Sequence, residues 1–255
     1  MKITIGYLVG IPLNLSIGEL ISRPNRFIFE GMAGGKIQRW HCPATGKIGL
    51  IKDFRGISCL FTPAASNGRR TTQGTVEAIS LNGGTEWIGI NQNRINGWIE
   101  HLLRKNAFPD MINAEGCSVH REVKIDDSRI DLVVSDGEKD GEKCTFLELK
   151  TPIHDLLLSP GDRFSRPPSS TFFDRGLRHF QTLARLAQVG HRAIVALCFM
   201  YDAVPFSAPE RNKWNAKIVD IIGEANALGV ENWQLNLKIS PSALEVVSYK
   251  STVLA

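Results

Sequence analysis

Two apolar segments of this chain carry charges where a buried strand should have none, and that conflict constrains the fold more than any other feature. Residues 128–134 read Ser-Arg-Ile-Asp-Leu-Val-Val and residues 144–150 read Cys-Thr-Phe-Leu-Glu-Leu-Lys. Length and composition mark each as a strand, and the polar stretch 135–143 reads as the hairpin loop between them. Side chains alternate across a strand, so Leu147 and Leu149 face one way while Glu148 and Lys150 face the other. By the same rule Arg129 and Asp131 share a face, opposite Ile130 and Leu132. If the strands pair, Asp131, Glu148 and Lys150 converge on one patch. Gathered carboxylates repel each other unless a hard cation such as Mg²⁺ lies between them. Asp, then Glu-X-Lys one hairpin later, is the layout of metal-dependent phosphodiester cleavage.

At 255 residues the chain can bury one large core or two modest ones. No apolar run approaches the roughly 20 residues that a membrane helix needs. The opening Met1-Lys2-Ile3-Thr4-Ile5-Gly6 is soon interrupted by Pro12, Asn14 and Glu19 and reads as mature sequence, not a signal peptide. Cysteines 42, 59, 117, 144 and 198 form no Cys-X-X-Cys pair. A disulfide framework or structural zinc does not fit that spacing, and a reducing cytoplasm does.

Charge is uneven along the chain. Residues 1–83 hold ten Lys/Arg against four Asp/Glu, a net of +6, while 84–255 hold twenty against twenty-two, a net of −2. A basic module joined to a near-neutral one suggests that the first holds a polyanion and the second acts on it. Short strands are expected at 26–30, 35–41, 46–51, 57–62 and 75–81, with turns at Gly34-Gly35, Pro43 to Gly46, Asp53 to Gly56 and Ser66-Asn67-Gly68. Five short strands in some seventy residues suit a small barrel of the OB type. The turn at Asn82-Gly83-Gly84 divides the chain into 1–83 and 84–255.

The second part reads as mixed α and β. Ile95, Trp98, Ile99, Leu102 and Leu103 recur at helical spacing within 93–106. Strands are expected at 118–125, 192–200 and 230–238, and helices at 174–188 and 213–228. The apolar stripe of the 174–188 helix is Leu177, Phe180, Leu183, Ala184 and Ala187. Residues 158–171 form a long Pro-rich loop carrying Arg163 and Arg166, a length that usually serves a function.

Beyond these patterns, the chain resembles the sugar fermentation stimulation protein A family over most of its length. The resemblance is carried by Arg23-Pro24-Asn25-Arg26-Phe27, His41-Cys42-Pro43-Ala44-Thr45-Gly46, Gly89-Ile90-Asn91, Arg121-Glu122-Val123-Lys124, Ser128-Arg129-Ile130-Asp131 and Glu148-Leu149-Lys150. Arg175-Gly176-Leu177-Arg178-His179, Gly190-His191-Arg192-Ala193 and the stretch 199–206 continue it in the same order. It implies an N-terminal OB-like barrel, a C-terminal α/β domain similar to PD-(D/E)XK nucleases, and DNA binding. Three departures stand out: Ala44 replaces an Asn, Thr151-Pro152-Ile153 replaces a Thr-Leu, and the Pro-rich 160–168 stretch is longer.

Each candidate residue then has a role. Asp131 and Glu148 are the metal ligands for Mg²⁺ or Mn²⁺, which stabilises charge on a phosphate oxygen and activates water. Lys150 orients that water or stabilises the developing charge. A further carboxylate comes from Glu100 or Glu122, unless these pair with Arg121 or Arg129 as structural ion pairs. Arg175 and His179, four apart, share a helix face that can meet the phosphate. The DNA contacts are Arg23, Arg26, Arg39, Lys47, Arg55, Arg69 and Arg70 of the basic module, with Arg163 and Arg166 of the loop. Phe27 and Trp40 are stacking surfaces or core. Trp98, Trp214 and Trp233 read as core, and His191 as structural. The function expected is a metal-dependent DNA endonuclease. The alternatives are a non-catalytic DNA-binding transcriptional regulator and a nuclease subunit active only among other DNA-processing proteins. The plainest account of the Asp131/Glu148/Lys150 set is a surface salt-bridge cluster.

Overall fold

The structure is a computed structural model. It describes residues 9–44, 48, 51, 53–65, 71–137, 143–152, 170–207 and 215–254, with the side chains of 170–176 left aside. Two sheets organise the chain. The first is a closed barrel of five strands: β2 (Ser16–Asn25), β3 (Ile28–Ala33), β4 (Lys36–His41), β5 (Ser58–Pro63) and β6 (Gly74–Ser80). Neighbours run in the order β4-β3-β2-β5-β6, and a parallel β4–β6 pairing, Trp40 to Gly74 and His41 to Thr75, closes the ring.

Trp40 fills the barrel. It is fully buried and stacks on Phe61 at 4.5 Å between ring centroids. Its indole nitrogen donates to Gln38 Oε1, so the polar edge is satisfied. Glycine is required around it, because a Cβ on Gly31 would fall 2.1 Å from the Trp40 ring and one on Gly18 2.6 Å from it. Trp40 is therefore core and not a stacking surface for bases. The ten-residue β2 has no counterpart among the expected strands, since Gly18 and Pro24 break its apolar pattern. The strand expected at 46–51 lies largely outside the described residues, and its described members Ile48 and Ile51 are in no strand.

The second sheet has seven strands. In chain order they are β1 (Gly10–Pro12), β8 (Ser118–Ile125), β9 (Ser128–Ser135), β10 (Thr145–Lys150), β11 (Arg192–Phe199), β12 (Val230–Ile239) and β13 (Ala243–Ser251). Their spatial order is β1-β13-β12-β11-β10-β9-β8. Pairings β10–β11 and β11–β12 are parallel; the rest are antiparallel. Buried residues of β11 alternate between two cores. Val195, Leu197 and Phe199 pack with α2 (Ser170–Gln188) and α3 (Ala216–Ala227), while Ile194, Ala196 and Cys198 pack with α1 (Ile95–Arg104). The buried stripe of α2 contains Leu177, Phe180, Leu183 and Ala184, as its periodicity predicts. The last antiparallel strand, β13, has no counterpart in the sequence reading.

The two sheets exchange their ends. β1, from the N-terminal module, pairs with β13 of the seven-stranded sheet, and β7 (Ile88–Gly89) pairs with β6 of the barrel. The Gly89 N–H donates to Met200 O at 3.0 Å. A Cβ there would meet Met200 Cβ at 2.4 Å, so the crossing tolerates only glycine. No helix among the described residues is long and apolar enough to cross a membrane.

Candidate metal centre

β9 and β10 form the antiparallel hairpin, in the register Thr145 to Val134, Phe146 to Val133 and Leu147 to Leu132. The ladder ends at that last pair, with Asp131 and Glu148 the next residue outward on each strand. The Leu149 N–H donates to Asp131 Oδ2 at 2.8 Å, tying the two strand ends through a side chain. From α1, Asn96 Nδ2 donates to Asp131 Oδ1 at 2.9 Å. Glu148 is 2% exposed. Its Oε1 accepts from Lys150 Nζ at 2.6 Å and is in contact with His179 Nδ1 of α2. Its Oε2 is buried and has no hydrogen-bond partner among the described residues.

The two carboxyls respond in opposite directions. Burial, and then the negative charge of Glu148, push Asp131 up to about 6; the Leu149 N–H, Asn96 and Lys150 pull the other way. Burial also pushes Glu148 up, but the His179 hydrogen bond and the Lys150 charge outweigh it and leave the group below the usual carboxylate range. One carboxyl is thus held ionised, and the other keeps its proton into the mildly acidic range.

Simple alternation fails next to Asp131. Ile130 packs in the core on the α2 side, where neighbouring Ser128 also bonds Thr182 of α2, whereas Leu132 packs on the α1 side. The side-chain period therefore slips between them, at Asp131. On the neighbouring strand Arg121 pairs with Leu132 and Val123 with Ile130. Glu122, between them, has φ +54°, a left-handed conformation uncommon for a non-glycine residue. The local irregularity lets Asp131 reach both α1 and the end of β10.

Neither candidate for the further carboxylate joins this pair. Glu100 bridges Arg121 at 2.7 Å and Arg104 at 2.9 Å. Glu122, 57% exposed, pairs with Arg129 at 3.2 Å. Both are engaged in ion pairs, and among the described residues no three His, Cys, Asp or Glu side chains form a metal-sized group. The α1 residue that does reach Asp131 is Asn96, one turn before Glu100. Helical i, i+4 spacing places it on the face of Glu100, so it was findable once that face had been chosen.

The remaining sequence candidates separate clearly. The backbone of Arg175 lies in α2, its side chain outside the described set; Lys47, Arg69, Arg70, Arg163 and Arg166 also lie outside the described residues, as does Trp214. Arg26 and Arg39 are exposed on the barrel, Arg26 lying 4.5 Å above the ring of half-exposed Phe27. Arg55 is paired to Asp53 at 2.7 Å. Arg23 is half-buried and donates to the backbone oxygens of Arg26 and Ala44, both at 2.9 Å. Ala44 serves here through its carbonyl, so the replaced Asn side chain is not needed for that bond. His191 is structural, its Nδ1 accepting from the Cys144 N–H at 3.3 Å.

The family model for the sugar fermentation stimulation protein RE domain matches residues 93–243, a span holding Asn96, Asp131, Glu148, Lys150 and His179. The chain belongs to the sugar fermentation stimulation protein family. A family homolog from Alcanivorax borkumensis is 31% identical over 219 residues, covering 83% of this chain and 86% of the relative. One from Shewanella frigidimarina is 26% identical over 242 residues, covering 92% and 95%. Among solved structures, Pyrococcus furiosus SfsA in complex with Ca²⁺ superposes with a TM-score of 0.67 at 24% identity, over 94% of this chain and 96% of that one. At that identity the likeness is one of fold, and it spans both the barrel and the seven-stranded sheet.

Proposed function

We propose that this member of the family is a DNA-binding protein with a divalent-metal-dependent endonuclease site. In this reading the barrel is OB-like and holds the nucleic acid, and the seven-stranded sheet is a PD-(D/E)XK nuclease-like domain that cuts it. The observation that carries the reading is Glu148 Oε2. A buried carboxylate oxygen without a partner is costly to maintain, and its charge adds to the burial that makes a second carboxylate, Asp131, resist ionisation. Hard oxygen donors of this kind suit Mg²⁺ or Mn²⁺. The solved relative bound to Ca²⁺ supports a divalent ion in a chain of this fold.

Asp131 and Glu148 would hold the ion. Bound there, it would supply charge stabilisation at a phosphate oxygen and a more acidic water. The protein's own groups do the rest. Lys150 Nζ, hydrogen-bonded to Glu148, places a positive charge at the mouth of the carboxylate pair, where it can orient an attacking water or neutralise the phosphate. His179 Nδ1 contacts the same Glu148 oxygen from α2 and would help hold that carboxylate in place. Arg26, Arg39 and Phe27 give the barrel exposed charge and a stacking face for a strand.

A second reading, a DNA-binding regulator that does not cut, is favoured by one observation: Glu100 and Glu122 are both spent on arginines, which leaves two carboxylates at the centre. A nuclease subunit active only among other DNA-processing proteins would look the same. The deciding experiment is incubation of purified protein with single-stranded, duplex and branched DNA in Mg²⁺, Mn²⁺ or chelator. Cleavage that needs the ion and is lost in Asp131→Asn supports the endonuclease. Binding without cleavage on every DNA form supports the regulator.

A further inference from the structure

Residues 91–96, Asn-Gln-Asn-Arg-Ile-Asn, carry four carboxamides in six positions. Three of them reach three different elements. Asn91, 5% exposed, donates to Glu77 Oε2 of β6 at 2.7 Å, anchoring the segment to the barrel. Gln92 donates to the backbone oxygen of Thr151, the residue after Lys150, at 2.6 Å. Asn96 donates to Asp131 Oδ1. The segment therefore fastens the barrel, the end of β10 and β9 to one another, and the last fastening is on a proposed metal ligand.

We propose that Asn96 is a positioning residue for the metal centre: it and the Leu149 N–H hold the two oxygens of Asp131, fixing the carboxylate plane before any ion arrives. The inference rests on the metal reading above and adds to it a residue with no negative charge of its own. The argument is geometric. A carboxylate at the end of a strand rotates about its last torsion, which is broad. A donor on each oxygen stops that rotation and leaves each oxygen one further acceptor site. A carboxylate at position 96 would repel Asp131 instead of holding it, so the amide is the group that suits the task. Gln92, by binding Thr151, holds α1 at the level where Asn96 can reach.

The test is Asn96→Ala in the full chain, read in two ways. Calorimetric titration with Mn²⁺ and with Ca²⁺ should show affinity falling about 10-fold or more, the usual effect of removing an outer partner of a ligand. Hydrogen exchange without metal should show the Leu149 amide, whose acceptor is the Asp131 side chain, exchanging faster, while Phe146 and Leu147 amides in the middle of β10 keep their rates. A general loosening of the sheet would speed all three and would overturn the proposal, as would unchanged Leu149 exchange. If the unmodified protein binds no divalent ion, the metal reading falls. Selective loosening of Leu149 would then still establish Asn96 as the residue that holds Asp131.

Discussion

The barrel and the seven-stranded sheet both carry charge, but in opposite settings. On the barrel, Arg26 and Arg39 stand in solvent, and Arg55 pairs with Asp53 with side chains 77% and 56% exposed. Charges in such places are nearly neutral to folding and are common on any surface. In the sheet, Glu148 is 2% exposed and its charge raises the pKa of the half-buried Asp131. Burying a carboxylate costs several kcal/mol unless it is well paired, so a fold does not retain two together without a reason. The comparison teaches that a net of +6 over residues 1–83 is weak evidence, whereas a buried carboxyl with one oxygen unpartnered and a half-buried one interacting with it are strong evidence. Function is better read from where charge is expensive.

The largest effect expected is on the costly side. Lys150→Ala removes the positive charge beside Glu148 and leaves both carboxylates. Metal and DNA should still bind, while cleavage falls roughly 10²-fold or more, the range for losing one electrostatic stabiliser. Single-turnover cleavage with saturating Mn²⁺ measures it. Unchanged cleavage would make Lys150 a mere partner of Glu148 and break the comparison at its strongest point.

Next comes stability. Because Asp131 is raised from 3.8 to about 6 in the fold, its contribution is fully present below its ordinary pKa and is lost as pH rises through 6. At pH 7 the ionised group is therefore a burden, of up to about 3 kcal/mol at 1.36 kcal/mol per unit. Asp131→Asn should make the metal-free protein more stable at pH 7 by some fraction of that, and weaken ion binding in the same protein. Asn96 can turn its amide to suit the new side chain. Urea denaturation at pH 7 and pH 4.5 tests it, with the larger gain expected at the higher pH. Ion affinity of the unmodified protein should also fall as pH drops below about 6, because Asp131 must release its proton to bind.

These effects depend on features that were unevenly legible in the sequence. Glu148 and Lys150 were legible because strand period alone puts them on one face, and the β9–β10 hairpin brings Asp131 to the same strand end. The slip between Ile130 and Leu132 was not; it coincides with the left-handed Glu122 of the neighbouring strand, which side-chain period does not reveal. Asn96 was not legible, because an uncharged amide gives no pattern of its own and the pairing of Glu100 to Arg121 is a tertiary fact that periodicity does not hold. Strand β2 was hidden because Gly18, which breaks its apolar pattern, is there to make room for Trp40. The exchange of β1 and β7 between sheets leaves no local mark at all.

On the barrel the effects should be smaller and graded by how free each arginine is. Arg26→Gln and Arg39→Gln should each weaken DNA binding and flatten the slope of log affinity against log salt by about 0.9 if each neutralises one duplex phosphate. Arg23→Ala should act differently. Its guanidinium holds the backbone at Arg26 and Ala44, so the loss should appear as a lower melting temperature.

The smallest effect, and the sharpest check on the comparison, comes from Asp53. Its carboxylate accepts from the Arg55 side chain and backbone, and these contacts hold its pKa at about 2, so the pair stays formed at any pH used for DNA binding. Arg55 is thus a cation already neutralised, although it lines the same open groove as Arg23 and Arg26. Arg55→Gln should therefore change DNA affinity less than Arg26→Gln does. Asp53→Asn should do the reverse: it removes a negative charge from the groove and frees Arg55, so affinity should rise and the salt slope steepen by up to about 0.9. Filter binding of one duplex across a salt series measures all three variants. If Arg55→Gln weakens binding as much as Arg26→Gln, the ion pair opens when DNA binds, and exposed pairing is no guide to which barrel charges are available. If Asp53→Asn leaves both affinity and slope unchanged, this groove is not where the barrel meets DNA.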